Sequence, residues 1–318
     1  MPQPGSVLIL HEDAAEARVA LGHLQDTETL IFVDRPEAIE SALWQHDPEA
    51  VFTLKAPGMP GAAMRPVMEH SSVRLVYVGG SGYDHLLPLD NGAVTLTNAA
   101  GVLAAHLAET VTGAMLALNG HFLHYAAQAH RRVWQPRAFR PIAGQTLLVV
   151  GLGHIGACVA RNAAALGMRV IATRRTPSPH PAVDAVYGGD ALEELLPEAD
   201  VVSVHLRLTP ETRHLFNDGR FALMRDGSLF LNTARGGVVD EPALARALSG
   251  GRVRGAYLDV FETEPLPNDS PLWSMANVLL TPHTADNVHG WRSQLLAHFA
   301  DTLHRWRQGQ DLPNRVTP

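Results

Sequence analysis

Thr146-Leu147-Leu148-Val149-Val150-Gly151-Leu152-Gly153-His154-Ile155-Gly156 is the stretch on which the fold turns. A short apolar run, a G-x-G-x-x-G spacing and a helix-forming segment over 157–166 read as strand, tight turn and helix. Each glycine then has a steric task. Gly151 turns the chain, Gly153 lets a diphosphate approach the backbone, and Gly156 brings helix against strand. The exposed amides at the helix start, around His154 and Ile155, suit that diphosphate. Residues 141–160 carry no Asp, Glu, Lys or Arg and are long enough for a membrane span, but glycines at 144, 151, 153 and 156 break any such helix.

The strand that follows, 169–173, selects between dinucleotides. An acidic residue at its end would bond a ribose 2′-hydroxyl and repel a 2′-phosphate. Here the chain continues Arg174-Arg175-Thr176. Guanidiniums and hydroxyls donate charge-assisted bonds to phosphate, which favours NADP over NAD; the plain alternative is a pair of solvated loop arginines.

Working outward, the same rhythm fills the chain. Strands are expected at 7–10, 30–33, 51–54 and 75–78, with helical spacing over 14–24 and 36–44. Further strands are expected at 146–150, 169–173, 201–206, 228–232, 256–260 and 278–281. This alternation predicts an α/β protein with two doubly wound parallel-sheet domains. A helix over 102–118 is placed to bridge them, and the Arg- and Pro-rich segment 131–141 reads as an irregular connection. Val288, Trp291, Leu295, Phe299, Leu303 and Trp306 form an apolar stripe on a final helix able to return to the first domain. The expected division is 1–100 with 287–318 as the substrate domain, and 101–286 as the dinucleotide-binding domain.

Composition agrees with this plan. The 318 residues suffice for about two domains. Hydrophobic content of 46% and charged content of 18% describe a globular chain rather than a disordered one. A net charge of −7 argues against nucleic acid or an anionic membrane as partner. The single cysteine, Cys158, forms no intrachain disulfide, and no basic segment precedes the first apolar run, so a cytoplasmic location is expected. His121 and His124 lie at i, i+3 spacing without a third ligand nearby, and no metal site is expected.

Three segments follow apolar strands at their carboxyl ends, where open parallel sheets bind ligands. They are Asn232-Thr233-Ala234-Arg235-Gly236-Gly237, the run from Asp259 to Pro265, and Thr281-Pro282-His283-Thr284-Ala285. Carbonyl reduction next to a carboxylate needs a cation to hold the carboxylate and polarise the carbonyl, and an acid for the nascent alkoxide. Arg235 supplies a permanent bidentate cation. His283 supplies the proton, and Glu264 is its candidate carboxylate partner.

On these segments, with Val238-Val239-Asp240-Glu241 and Gly255 to Pro265, the chain resembles the D-isomer-specific 2-hydroxyacid dehydrogenases along essentially its whole length. The resemblance implies a Rossmann domain inserted into a flavodoxin-like substrate domain, a homodimer, and Arg235, Glu264 and His283 as the catalytic triad. It places Thr233, Ala234 and Asp259 at the nicotinamide side, with Arg207 and Thr212 also beside the cofactor. A carboxylate-binding loop would run through Gly80, Ser81 and Gly82, and Lys55, the only lysine, is either a basic pocket residue or a surface lysine.

Three departures from the family pattern stand out. Arg174 replaces an acidic residue, which points to NADPH and the glyoxylate/hydroxypyruvate reductase branch. Arg207 replaces a usual proline and faces phosphate, substrate or solvent. Asp286 stands where a small residue is common and alters the local electrostatics. The expected activity is reduction of a small 2-keto acid by NADPH to the D-2-hydroxy acid. The alternative is a dinucleotide-sensing, corepressor-like binding module on the same fold. Trp134 either closes a substrate pocket or covers apolar surface.

Overall fold

The computed structural model describes residues 5–88 and 92–316. The chain divides into two compact units, 1–103 with 289–318, and 104–288.

In the first unit β1 (Gly5–Leu10), α1 (Ala14–Leu21), β2 (Glu28–Val33), α2 (Ile39–His46), β3 (Ala50–Thr53), β4 (Leu75–Val78) and β5 (Thr95–Asn98) form a parallel sheet of order β2-β1-β3-β4-β5. That is the flavodoxin-like order. β1, β3 and β4 are apolar on both faces because each face is covered. One layer packs Val7, Phe52 and Tyr77 under Phe299 and Leu303 of the last helix, Trp291–Arg307; the other packs Leu8, Val51 and Val76 under Ile39 and Met64. The C-terminal helix thus completes the first unit, and its Arg307 ties Glu28 (2.9 Å) and Glu49 (2.5 Å). It begins at Trp291, so Val288 precedes it rather than joining its stripe.

The second unit adds α3 (Ala104–Asn119), α4 (Phe122–Arg131), β6 (Thr146–Val150), α5 (His154–Ala165), β7 (Arg169–Thr173), β8 (Ala185–Tyr187), α6 (Leu192–Leu195) and β9 (Val201–Val204). It continues with α7 (Asp218–Leu223), β10 (Ser228–Asn232), α8 (Glu241–Ser249), β11 (Val253–Leu258) and β12 (Val278–Leu280); the last helix, Trp291–Arg307, is α9. The parallel sheet runs β12-β11-β10-β9-β6-β7-β8, the Rossmann order with one further strand. Its strand order reverses between β6 and β9, so the glycine loop after β6 lies at the topological switch point.

Two strands lay outside the sequence expectation. Thr95-Leu96-Thr97-Asn98 is half polar, and Ala185-Val186-Tyr187 is three residues long on a sheet edge; neither offers a long apolar run. β9 stops at Val204 rather than 206, and β11 starts at Val253 and ends at Leu258 rather than spanning 256–260. Residues 205–206 and 259–260 instead begin the ligand-side loops.

Candidate active site

The glycine loop has the required steric form. Gly151 adopts φ +102°, and a Cβ there would lie 2.7 Å from the His205 carbonyl oxygen. A Cβ on Gly156 would lie 2.3 Å from the Gly151 oxygen, which is the close approach of helix to strand expected from the spacing. A Cβ on Gly153 would meet nothing within 4 Å. Gly153 is also the N-cap of α5 and brings no capping side chain, so the first amides of the helix, at His154 and Ile155, are uncapped from that side. Open space over an uncapped helix start, at a sheet's switch point, fits a diphosphate.

At the end of β7, Arg174, Arg175 and Thr176 are exposed. Arg174 donates to Ser178 Oγ at 2.9 Å, and no carboxylate occupies the strand end. Glu211, in the facing loop of the same unit, is held below its ordinary pKa by a Thr209 hydrogen bond, its own amide and the attraction of Arg175. Thr212 accepts from Thr209 N at 2.7 Å and donates to the Arg207 carbonyl at 2.7 Å, so its hydroxyl shapes the loop that carries the exposed Arg207.

Three strand-end loops meet beyond β10, β11 and β12. Asn232 closes the first as a side-chain turn: its Oδ1 accepts Ala234 N at 3.0 Å and its Nδ2 donates to Arg235 O at 3.3 Å. Gly236 then locks this loop on the second. Its Cβ position lies 1.8 Å from the Phe261 carbonyl carbon and 2.3 Å from Glu262 N, so only glycine lets those backbones touch. Glu264 Oε1 accepts Phe261 N at 3.1 Å, and Oε2 faces His283 Nδ1 at 2.8 Å. A carboxylate on Nδ1 fixes the ring and leaves Nε2 as the other working nitrogen. Arg235 is half-buried, with Nη1 on the Ala234 carbonyl at 2.7 Å.

Asp259 organises the third loop from the inside. The buried carboxylate accepts Thr281 Oγ1 at 2.5 Å, Thr284 N at 2.8 Å and Ala285 N at 3.1 Å, and its carbonyl accepts His283 N at 2.8 Å. His283 sits at φ +53°, a left-handed conformation unusual for a side chain of this size, held by those bonds. Tyr257, whose hydroxyl meets Thr281 Oγ1 at 2.9 Å, is pushed up to about 12 by burial.

His205 was absent from the sequence reading as a site residue. It follows β9, its carbonyl abuts Gly151, and its ring nitrogens meet Ser203 Oγ at 2.8 Å and Thr233 Oγ1 at 3.5 Å. Burial pushes its pKa down to about 3, so the ring stays neutral and bridges Ser203 at the end of β9 to Thr233 beyond β10, while its backbone carbonyl abuts the glycine loop. A histidine next to a strand end was the only available signal.

In the first unit, the amides of Gly79 and Gly80 are used internally, to Thr53 O at 2.7 Å and Val78 O at 2.8 Å. Those of Ser81 and Gly82 carry no hydrogen bond among the described residues. Asn98 Nδ2 fixes the loop through the Ser81 carbonyl at 2.9 Å. Lys55 is exposed beyond β3. No group of three or more metal-ligating side chains occurs among the described residues, and no helix among them is long and apolar enough to cross a membrane.

A dinucleotide-type glycine loop and a carboxylate-paired imidazole on one Rossmann sheet define an oxidoreductase class, and comparison with known proteins narrows it. Residues 112–285 match the family model described as D-isomer specific 2-hydroxyacid dehydrogenase, NAD binding domain. A glyoxylate reductase of Korarchaeum cryptofilum is 35% identical over 256 residues, 77% of this chain and 76% of that protein. A D-isomer specific 2-hydroxyacid dehydrogenase family protein of Aeromonas salmonicida has a similar structure, with TM-score 0.88, 29% identity and 99% of both chains covered. An NADPH-dependent glyoxylate/hydroxypyruvate reductase of Sinorhizobium meliloti, solved with NADP and sulfate, gives TM-score 0.84 at 28% identity over 98% of both chains. The chain belongs to the D-isomer-specific 2-hydroxyacid dehydrogenase family and is an NAD(P)-dependent oxidoreductase.

Proposed function

We propose that the protein reduces a small 2-keto acid of the glyoxylate or hydroxypyruvate type to the D-2-hydroxy acid, with NADPH preferred over NADH. The observation that carries this reading is the 2.8 Å His283–Glu264 pair on loops that Gly236 locks to the Arg235 turn. Arg235 binds the substrate carboxylate and polarises the adjacent carbonyl, as a guanidinium fork can do at any physiological pH. His283 Nε2 hands a proton to the carbonyl oxygen as negative charge develops there, while Glu264 stabilises the imidazolium before transfer. The bound nicotinamide supplies the hydride. The α5 amides and Gly153 hold the diphosphate, Arg174, Arg175 and Thr176 take the 2′-phosphate, and Thr233, Ala234 and Asp259 flank the ring. In the first unit, the amides of Ser81 and Gly82 are the proposed carboxylate-binding donors of their loop. The roles assigned here divide the chain into a substrate unit and a dinucleotide unit.

The homodimer proposed for this enzyme is supported by residues 132–140, wholly exposed and carrying Val133, Trp134 and Phe139. Light scattering tests it. The proposed location is the cytoplasm, where Cys158 stays reduced.

The test of function is a panel of 2-keto acids with NADPH and with NADH, followed by absorbance. Turnover of a 2-keto acid that Arg235→Ala removes, with NADPH binding retained, is expected. Tight dinucleotide binding without turnover of any member would replace this reading with a sensing module.

A further inference from the structure

We propose that Asp286 sets the charge of the substrate that this site accepts, turning away 2-keto acids with a second anionic group and favouring monoanionic ones whose C3 substituent donates a hydrogen bond. This rests on the reading above that Arg235 and His283 hold the substrate.

Asp286 stands three residues beyond His283 in a turn closed by Asn287 N to Thr284 O at 3.0 Å and Val288 N to Asp286 O at 2.8 Å. The preceding residue is fixed from both sides. Ala285 N donates to the buried Asp259 carboxylate, and Ala285 O accepts Thr110 Oγ1 of α3 at 2.7 Å. The backbone of the turn that carries Asp286 is therefore held on the same loop as His283.

That turn is electrically part of the site. The half-buried Asp286 carboxylate is attracted by His283 and Arg235 and repelled by Asp259, and burial, the largest influence, raises its pKa above the usual carboxylate range. Its hydrogen-bond donor among the described residues is its own amide. The carboxylate therefore keeps acceptor capacity for a ligand, and it presents negative charge beside the cation and imidazole that receive the substrate.

One anionic group of the substrate is matched by Arg235. A second carboxylate or phosphate near Asp286 meets a like charge in partly desolvated surroundings, where charge pairs are screened less than in water. A C3 hydroxyl meets an acceptor instead.

The test compares kcat/KM for glyoxylate, hydroxypyruvate and oxaloacetate in the wild type, D286N, D286S and D286E. In D286N and D286S the oxaloacetate-to-glyoxylate ratio should rise by about ten-fold or more, one like-charge contact at effective protein screening. The hydroxypyruvate-to-oxaloacetate ratio should fall, and D286E should return both ratios toward wild type. Unchanged ratios in both variants overturn the proposal. A single common factor across all three substrates also overturns it, because Asp286 would then act through the cofactor or His283. A wild type that turns over none of the three fails the functional reading itself, and the proposal falls with it.

Discussion

Gly236 carries no functional group, yet the geometry makes its replacement by alanine a severe perturbation of the active site. The added methyl would stand 1.8 Å from the Phe261 carbonyl carbon, 2.0 Å from its oxygen and 2.3 Å from Glu262 N, all backbone atoms. Ordinary contact begins near 3.4 Å, so the two loops must part by about 1.6 Å. No side-chain rotation relieves this clash. Overpacking of this kind costs ~1–3 kcal/mol of stability. The larger effect is functional, because Arg235 lies on one parted loop and Glu264 on the other. Misplacement of reacting groups by about 1 Å costs ~100-fold in rate, or roughly 2.7 kcal/mol of transition-state stabilisation. Gly236→Ala should therefore lose at least ~100-fold in kcat/KM while its fold, by circular dichroism, and its NADPH binding, by fluorescence, survive. Gly237→Ala is the control. A Cβ there meets the Leu208 and Arg213 side chains at 3.2–3.3 Å, whose ends can yield, so its activity should stay near wild type. A folded Gly236→Ala enzyme retaining a third or more of wild-type kcat/KM would refute the claim that this contact holds the catalytic loops in register.

Gly153→Ala should leave the melting temperature of the free protein almost unchanged, since the new methyl meets nothing within 4 Å, yet weaken NADPH binding by ten-fold or more, read by fluorescence titration. Equal affinity would remove the diphosphate from this loop. Arg174→Asp should shift the NADPH-to-NADH ratio of kcat/KM toward NADH by about ten-fold or more, one phosphate contact exchanged for repulsion; identical ratios would assign the arginine to solvent. His205 bears on stability against pH. Its folded pKa, near 3, lies below the ordinary histidine value of 6.5. Its contribution is thus complete above the unfolded value and is lost as pH falls toward 3, at a slope of at most ~1.4 kcal/mol per pH unit. Urea unfolding at pH 7 and pH 5 should show a loss of up to about 2 kcal/mol that His205→Gln does not show. The same loss in the variant would mean that other histidines cause it.

Strands buried on both faces announced themselves in the sequence because water contacts neither side, which is why 75–78, 146–150, 169–173 and 228–232 match the observed β4, β6, β7 and β10 in full. Edge strands escape that logic. β5 alternates Thr95, Leu96, Thr97 and Asn98, and β8 has three half-buried residues, so neither differs from a loop in composition. Strand ends were harder still, because the residue after a central strand is as buried as the strand. Asp259 and Val260 stay as buried as β11 although the sheet ends at Leu258.

Chemical type made Arg235, Glu264 and His283 legible, since few side chains can polarise a carbonyl or pass a proton. Their supports were not legible, because a support is defined by what it touches across the chain. Asn232, Gly236 and Thr281 are ordinary residues until Asn232 is seen to close the arginine turn, Gly236 to admit the Phe261–Glu262 backbone, and Thr281 to cap Asp259. Asp259 shows the difference most clearly. The family resemblance assigns it to the nicotinamide side, and three donors from residues 281–285 already fill most of its roughly four acceptor positions. Its main structural work is therefore to hold His283 at φ +53°, where the ring can meet Glu264. A cofactor contact by Asp259 would have to share this carboxylate with the histidine loop, and would then couple cofactor binding to the orientation of the proposed proton donor, His283, through one buried side chain.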